Sequence, residues 1–323
     1  MRNLFIAFIL LIISNSCIKE YNIDLEFNQH RLVVDGVITN QNGPHYIMLT
    51  KSLSKLTSDD YTNRKYVPIL NGYITAELIN DAQVYITDND ESITDTLIRS
   101  WTLYRNLPDT AWKSFIFASD SISYYGCYQT SRLKGIPGHT YSITVKWQDK
   151  EYHATSFMPP VPPIDSVRFN FTKGAVGKND FNIPLLYFKE PQNEKNYYLF
   201  ITPGSSRVWP YSILSDEYLK DYVNGLDVCK GVSPDYWMTA YPYTNADGSM
   251  DDYFIEMHSL PKETYDYYKS LLHQFRTDGG GYSPSPASPP TNMDNGALGF
   301  FRASAVNRVD FKREYPNQDI MNP

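Results

Sequence analysis

Two runs of alternating side chains, His139–Trp147 and Glu151–Phe157, constrain the fold more than any other stretch; only Gln148, Asp149 and Lys150 separate them. In an extended chain successive side chains point to opposite faces. Tyr141, Ile143, Val145 and Trp147 therefore share one face, and Thr140, Ser142, Thr144 and Lys146 the other. A hairpin with one apolar face is marginal alone in water, so it needs more strands beside it and a second layer over its apolar side.

The remaining sequence supplies strands of the same kind. Arg31–Thr39 is β-branched, the turn residues 40–44 follow, and His45–Thr50 completes a hairpin signature. Residues 82–87 alternate and end on the acidic turn Asp88–Glu91, and 98–104 and 113–118 are further strands. Residues 52–73 lack a sustained pattern and read as a long connection. The turn residues Gly135-Ile-Pro-Gly138 lead into the late hairpin, and this density of short strands suggests an immunoglobulin-like β-sandwich over residues 31–158, without the Cys-Trp-Cys framework of antibody domains. Met158-Pro-Pro-Val-Pro-Pro163 then interrupts the pattern. Its four prolines lack N–H donors and cannot continue a sheet interior, so 159–163 reads as a stiff linker.

Beyond it, residues 164–323 read as a β-rich second domain with one or two short helices. Strands are expected at 165–171, 183–188, 196–201, 252–258 and 297–306, and a short helix at 216–223. A longer helix starts near the Ser259 cap and Pro261; Tyr265, Tyr268, Leu272 and Phe275 fall on one face, and three glycines at 279–281 end it.

The first residues place the chain in a compartment. One positive charge at Arg2, an apolar run from Leu4 to Ile13 and the small residues Ser14, Asn15 and Ser16 precede Cys17, the pattern of a bacterial lipoprotein signal. An apolar run of about ten residues is too short to span a bilayer core, so residues 1–16 read as a cleaved signal peptide. Cys17 is then the lipid-anchor residue, and 17–30 form a polar tether in which Lys19 and Glu20 resemble an export signal for the outer leaflet.

Composition excludes some partners. The net charge is −7 with both signs interspersed, and no basic stripe suggests nucleic acid. The chain carries 27 Tyr, 16 Phe and 5 Trp, which favours strands first and binding surfaces second. Cys127 and Cys229 are either bridged or separately buried. There is no G-x-S-x-G elbow, H-E-x-x-H helix or P-loop, and no cofactor is expected. His139 and His153 face each other across the late hairpin in this reading, without an acidic partner, and make a poor zinc site. Asp88–Glu91, and Asn245, Asp247, Ser249 and Asp251, read as turns before calcium loops. Trp209, Tyr211, Tyr236 and Trp237 lie in weakly periodic stretches and are the candidate ligand-binding rings, with core plugging as the plainer alternative.

Arg31-Leu-Val-Val-Asp-Gly36, Gly138-His-Thr-Tyr141 through Pro159, Ser288-Pro-Pro-Thr-Asn292 and Gly296-Ala-Leu-Gly-Phe-Phe301 together resemble the Bacteroidota outer-membrane lipoprotein family called domain of unknown function 4249. The resemblance covers nearly the whole mature chain and brings no site residues with it. It implies a cell-surface accessory of TonB-dependent nutrient uptake, binding peptide or glycan or docking on the transporter. In the Gly296–Phe301 segment the glycines are expected to permit close backbone approach while the aromatics enter the core. The alternatives are an extracellular hydrolase whose carboxylates or serine converge only in three dimensions, and a structural or adhesin-like surface subunit.

Overall fold

The computed structural model describes residues 30–52, 65–67, 72–74, 77–100, 127–172, 181–201, 213–228, 253–276 and 289–311. In chain order the strands are β1 (Leu32–Thr39), β2 (Tyr46–Lys51), β3 (Lys65–Val67), β4 (Gly72–Ile74), β5 (Glu77–Leu78), β6 (Gln83–Asp88), β7 (Ile93–Thr96), β8 (Ile98–Arg99), β9 (Cys127–Gln129), β10 (Thr140–Trp147) and β11 (Lys150–Phe157). Past the prolines come β12 (Ile164–Thr172), β13 (Phe181–Lys189), β14 (Tyr197–Ile201), β15 (Ile213–Ser215), β16 (Tyr222–Asp227) and β17 (Tyr253–Ser259). Helix α1 (Lys262–Arg276), β18 (Leu298–Ser304) and β19 (Val306–Phe311) close the described chain. The fold is mainly β.

Two sheets enclose the first core. One has the order β18-β1-β2-β9-β8, with β5 also on β2; the other is β11-β10-β6-β7. Alternation decides the faces: Tyr141, Ile143 and Val145 are fully buried and Trp147 nearly so, while Lys146 is exposed. They meet Leu32, Val34, Ile38, Ile47 and Leu49 from the opposite sheet. Two sheets on one core fit the expected sandwich. Its least expected feature is β18, which comes from the far end of the chain and pairs in parallel with β1, Val34 opposite Gly299 and Thr39 opposite Ser304. Met293, Ala297, Phe301, Ala303 and Ala305 complete this core.

The second core lies between the sheets β12-β13-β16 and β15-β14-β17-β19. Strand β14 is buried on both faces: Tyr198 and Phe200 join Leu186, Phe188, Ile255 and Met257, while Leu199 and Ile201 turn toward Tyr268 and Leu272 of α1. The helix also reaches the outer face of the first sheet, where Tyr267 packs on Phe300 with ring centroids 4.8 Å apart. It thus fills the corner between the two units, and Ala305 alone separates the strands β18 and β19 that belong to one sheet each.

Several expectations need correction. The segment 297–306 is not one strand: it breaks at Ala305, because its two halves pair with different sheets. The expected helix at 216–223 is a single 3-10 turn, Asp216–Tyr218, capped by Ser215, after which the chain becomes β16 and buries Val223 against β13. The connection 52–73 contains part of the paired strands β3 and β4. Ser259 ends β17, its hydroxyl donating to the Pro159 carbonyl, and the first helical bond runs from Tyr265 N–H to the Pro261 carbonyl. The prolines form no free-standing spacer: Met158 is buried in the first core, and Val161 packs against both cores. Strand 113–118 and most of 98–104 lie outside the described residues.

Candidate functional site

The site is built on the crossing from β9 to β10, residues 130–139, which carries the chain from one sheet of the first unit to the other. Asp95, on β7, holds it. Of Ile93-Thr-Asp-Thr96, Asp95 alone turns inward, where it is almost wholly buried. One carboxylate oxygen accepts the backbone N–H groups of Ser131, Arg132 and Leu133, each at 2.9 Å, and the other accepts the Ser131 hydroxyl at 2.6 Å. Burial raises this carboxyl, but the Ser131 hydroxyl and the three N–H groups outweigh it and hold it below the usual carboxylate range. The crossing is fixed at its start, leaving Arg132 and Lys134 exposed and Leu133 inward.

The far end of the crossing is clasped by the β6–β7 turn. Asp88 accepts N–H groups from Asp90 and Glu91 at 3.0 and 3.2 Å, and Asp90 accepts from Thr140 N–H at 2.7 Å. His139 Nδ1 lies 2.9 Å from Asp88, and the Tyr141 hydroxyl, which accepts Ile136 N–H at 2.7 Å, also bonds Asp88. The Asp88 hydrogen bond raises the His139 pKa over the opposing effect of burial; burial raises the carboxyl of Asp88, but its hydrogen bonds, led by His139, bring it below its usual value. Asp88, Asp90 and His139 present ligand atoms within 4.8 Å of one another, a set able to hold a metal ion, but each already serves this clasp.

An open groove runs along both sides of the crossing. One lobe, of about 610 Å³, lies against Asp88, Glu91, Ile93 and Ile136; the other, of about 510 Å³, lies against Asn42, Pro44, Ile98 and Gln129. Arg132, Leu133 and Lys134 line both. The groove sits at the 40–45 end of the β1–β2 hairpin, whereas the chain enters at the other end, where His30 and Arg31 bond Ser52. The eight residues of β1 separate these ends by roughly 25 Å.

Elsewhere, the buried carboxylates of Glu190 and Glu256 are taken up by their own chain. Glu190 accepts the Tyr198 hydroxyl at 2.8 Å and an Asn196 amide N–H at 3.0 Å; burial outweighs these bonds and raises its pKa. At the junction of the units, Gln41 donates to Glu256 at 2.8 Å, Arg308 lies 3.3 Å from the same oxygen, and His258 Nε2 lies 3.0 Å from the other. Burial lowers the His258 pKa from its ordinary value despite Glu256, and its Nδ1 has no partner. These networks fix strands and the junction.

His139 and His153 do not face each other. His153 stands opposite Thr144 and is held by Asp294 at 3.0 Å and Glu151 at 3.1 Å, while His139 precedes β10 and bonds Asp88. Asp88 and Asp294 come from turn or distant positions that hairpin spacing does not bring near, whereas Glu151 shares the face of His153 two residues along β11. Cys127 carries a free thiol, whose pKa burial pushes up to about 12. Cys17, Lys19, Glu20, Trp209, Tyr211, Tyr236, Trp237, Cys229 and the 245–251 loop lie outside the described residues. Sequence reading missed Arg132, Lys134 and Asp95. The available signal was Asp95 itself, a charged residue on the inward phase of a strand.

One family match covers the chain, over residues 18–309, and its description is Domain of unknown function (DUF4249). No curated protein matches.

Proposed function

The chain belongs to that family, and on this premise we propose that it is a surface-exposed, non-enzymatic lipoprotein of the outer membrane. Cys17 carries the lipid, Lys19 and Glu20 direct export, and the folded units act beside a TonB-dependent transporter, capturing peptide or glycan or docking on the transporter itself. The observation that carries this reading is the groove along residues 130–139, open to solvent at the end of the first unit away from the entering chain. A tether at His30 turns that end outward. Four buried carboxylates, Asp88, Asp95, Glu190 and Glu256, support binding over hydrolysis, because each is committed to hydrogen bonds that hold the fold. Trp209, Tyr211, Tyr236 and Trp237 remain proposed as a second, aromatic ligand surface.

Affinity purification of the lipidated chain from detergent-solubilised outer membranes tests the role. A TonB-dependent transporter is expected to co-purify, and recovery of the chain alone would overturn the reading. Replacing Lys19 and Glu20 with alanine is expected to lower the fraction of the chain that protease reaches on intact cells.

A further inference from the structure

We propose that the groove along residues 130–139 receives an extended acidic peptide segment whose side chains alternate between carboxylates and apolar groups. The proposal rests on the surface-capture reading above and narrows its ligand class. The first reason is charge. Arg132 and Lys134 line both lobes, and among the described residues neither meets a carboxylate: Arg132 donates to the Thr94 carbonyl and Lys134 to the Asn42 side-chain oxygen, both at 3.1 Å. The lobe beside Ile98 holds both cations and no acidic residue. Electrostatic complementarity of this kind selects an anionic partner and speeds its encounter.

The second reason is the apolar rim. Ile98, Ile93 and Ile136 are 54%, 42% and 39% exposed, and they border the two lobes. A phosphate or a sugar acid would satisfy the cations and leave these side chains in water. A peptide with apolar residues between its carboxylates covers both. The third is topology. Among the described residues β7 and β8 end their respective sheets, so Ile93–Arg99 offers an edge along which an extended segment can run. Glu91, exposed in the lining of the other lobe, disfavours acid there, so the lobe beside Ile98 takes the carboxylates.

The test uses the lipidated full chain in detergent and fluorescence anisotropy of three labelled decapeptides: alternating glutamate and leucine, alternating lysine and leucine, and glutamate alone. Saturable binding of the glutamate–leucine peptide is expected, weakening as salt is raised. Arg132→Gln with Lys134→Gln is expected to lower affinity about tenfold or more, and Ile98→Ser to lower it further, with unchanged melting curves for all variants. Equal binding of the lysine peptide, binding of the all-glutamate peptide as tightly as the mixed one, no binding, or indifference to the double substitution each overturns the proposal. A wild-type chain that brings down a transporter but binds no peptide loses the ligand assignment and keeps the accessory role; peptide binding without a transporter gives the reverse.

Discussion

At the residue scale, Asp35 is where the fold carries a burial cost that Arg302 offsets only in part. It projects from β1 beside Phe300 and Met48, under the helix that brings Tyr267 onto Phe300. Burial pushes its carboxyl up to about 7, with Arg302 pulling the other way. The unfolded chain releases this proton near the ordinary aspartate value of about 3.9, so between that pH and about 7 the folded state holds a proton the unfolded state does not. Stability therefore falls as pH rises through that window. Asp35→Asn is expected to match the parent at pH near 4 and to exceed it by about 4 kcal/mol at pH above 7, read from urea unfolding across pH.

At the element scale, the parallel pair β1–β18 depends on a glycine. Gly299 has φ of +85°, a conformation side chains other than glycine rarely adopt, and a Cβ added there would stand 1.9 Å from the Val34 carbonyl oxygen. The obstacle is backbone and cannot rotate away. Gly299→Ala is expected to cost at least about 3 kcal/mol in chemical unfolding. Its neighbours divide the work expected of them: Phe301 enters the first core, and Phe300 meets the helix. That segment was legible in the sequence because a glycine followed by two aromatics encodes close approach and burial together. The helix was equally legible, since its 3.6-residue period placed Tyr268 and Leu272 on the buried side. The 3-10 turn at Asp216–Tyr218 was not, because three residues carry no period that separates it from a helix start.

At the scale of the molecule, the proline run divides the sequence without dividing the packing. The first core contains Met293, Ala297, Phe301, Ala303 and Ala305, all beyond β17 and the helix of the second unit. Gln41 and Asn40 of the first hairpin turn bond Glu256 and Val306 of the second unit. A fragment of residues 31–158 is therefore expected to lack a cooperative unfolding transition, because β1 loses its parallel neighbour and the core loses five buried side chains. Adding a peptide of residues 289–305 is expected to restore circular dichroism and protease resistance, which would locate the deficit in that strand.

The sequence by itself determined which faces of the strands and of the helix are buried. Period-two and period-3.6 patterns record burial locally, residue by residue, and the late hairpin and α1 follow from them, while β1 and β2 follow from β-branched residues on either side of a turn. The partners of those faces were decided only in three dimensions. Asp95 meets residues 131–133, Asp294 meets His153, and β18 returns more than 250 residues along the chain to lie beside β1. Nothing in a local pattern specifies such pairs, because their energy arises from a desolvated contact that exists only once both segments have been brought together. The groove belongs to this second class. Its cations look like ordinary surface charges in the sequence, and only the crossing fixed by Asp95 aligns them beside the exposed isoleucines.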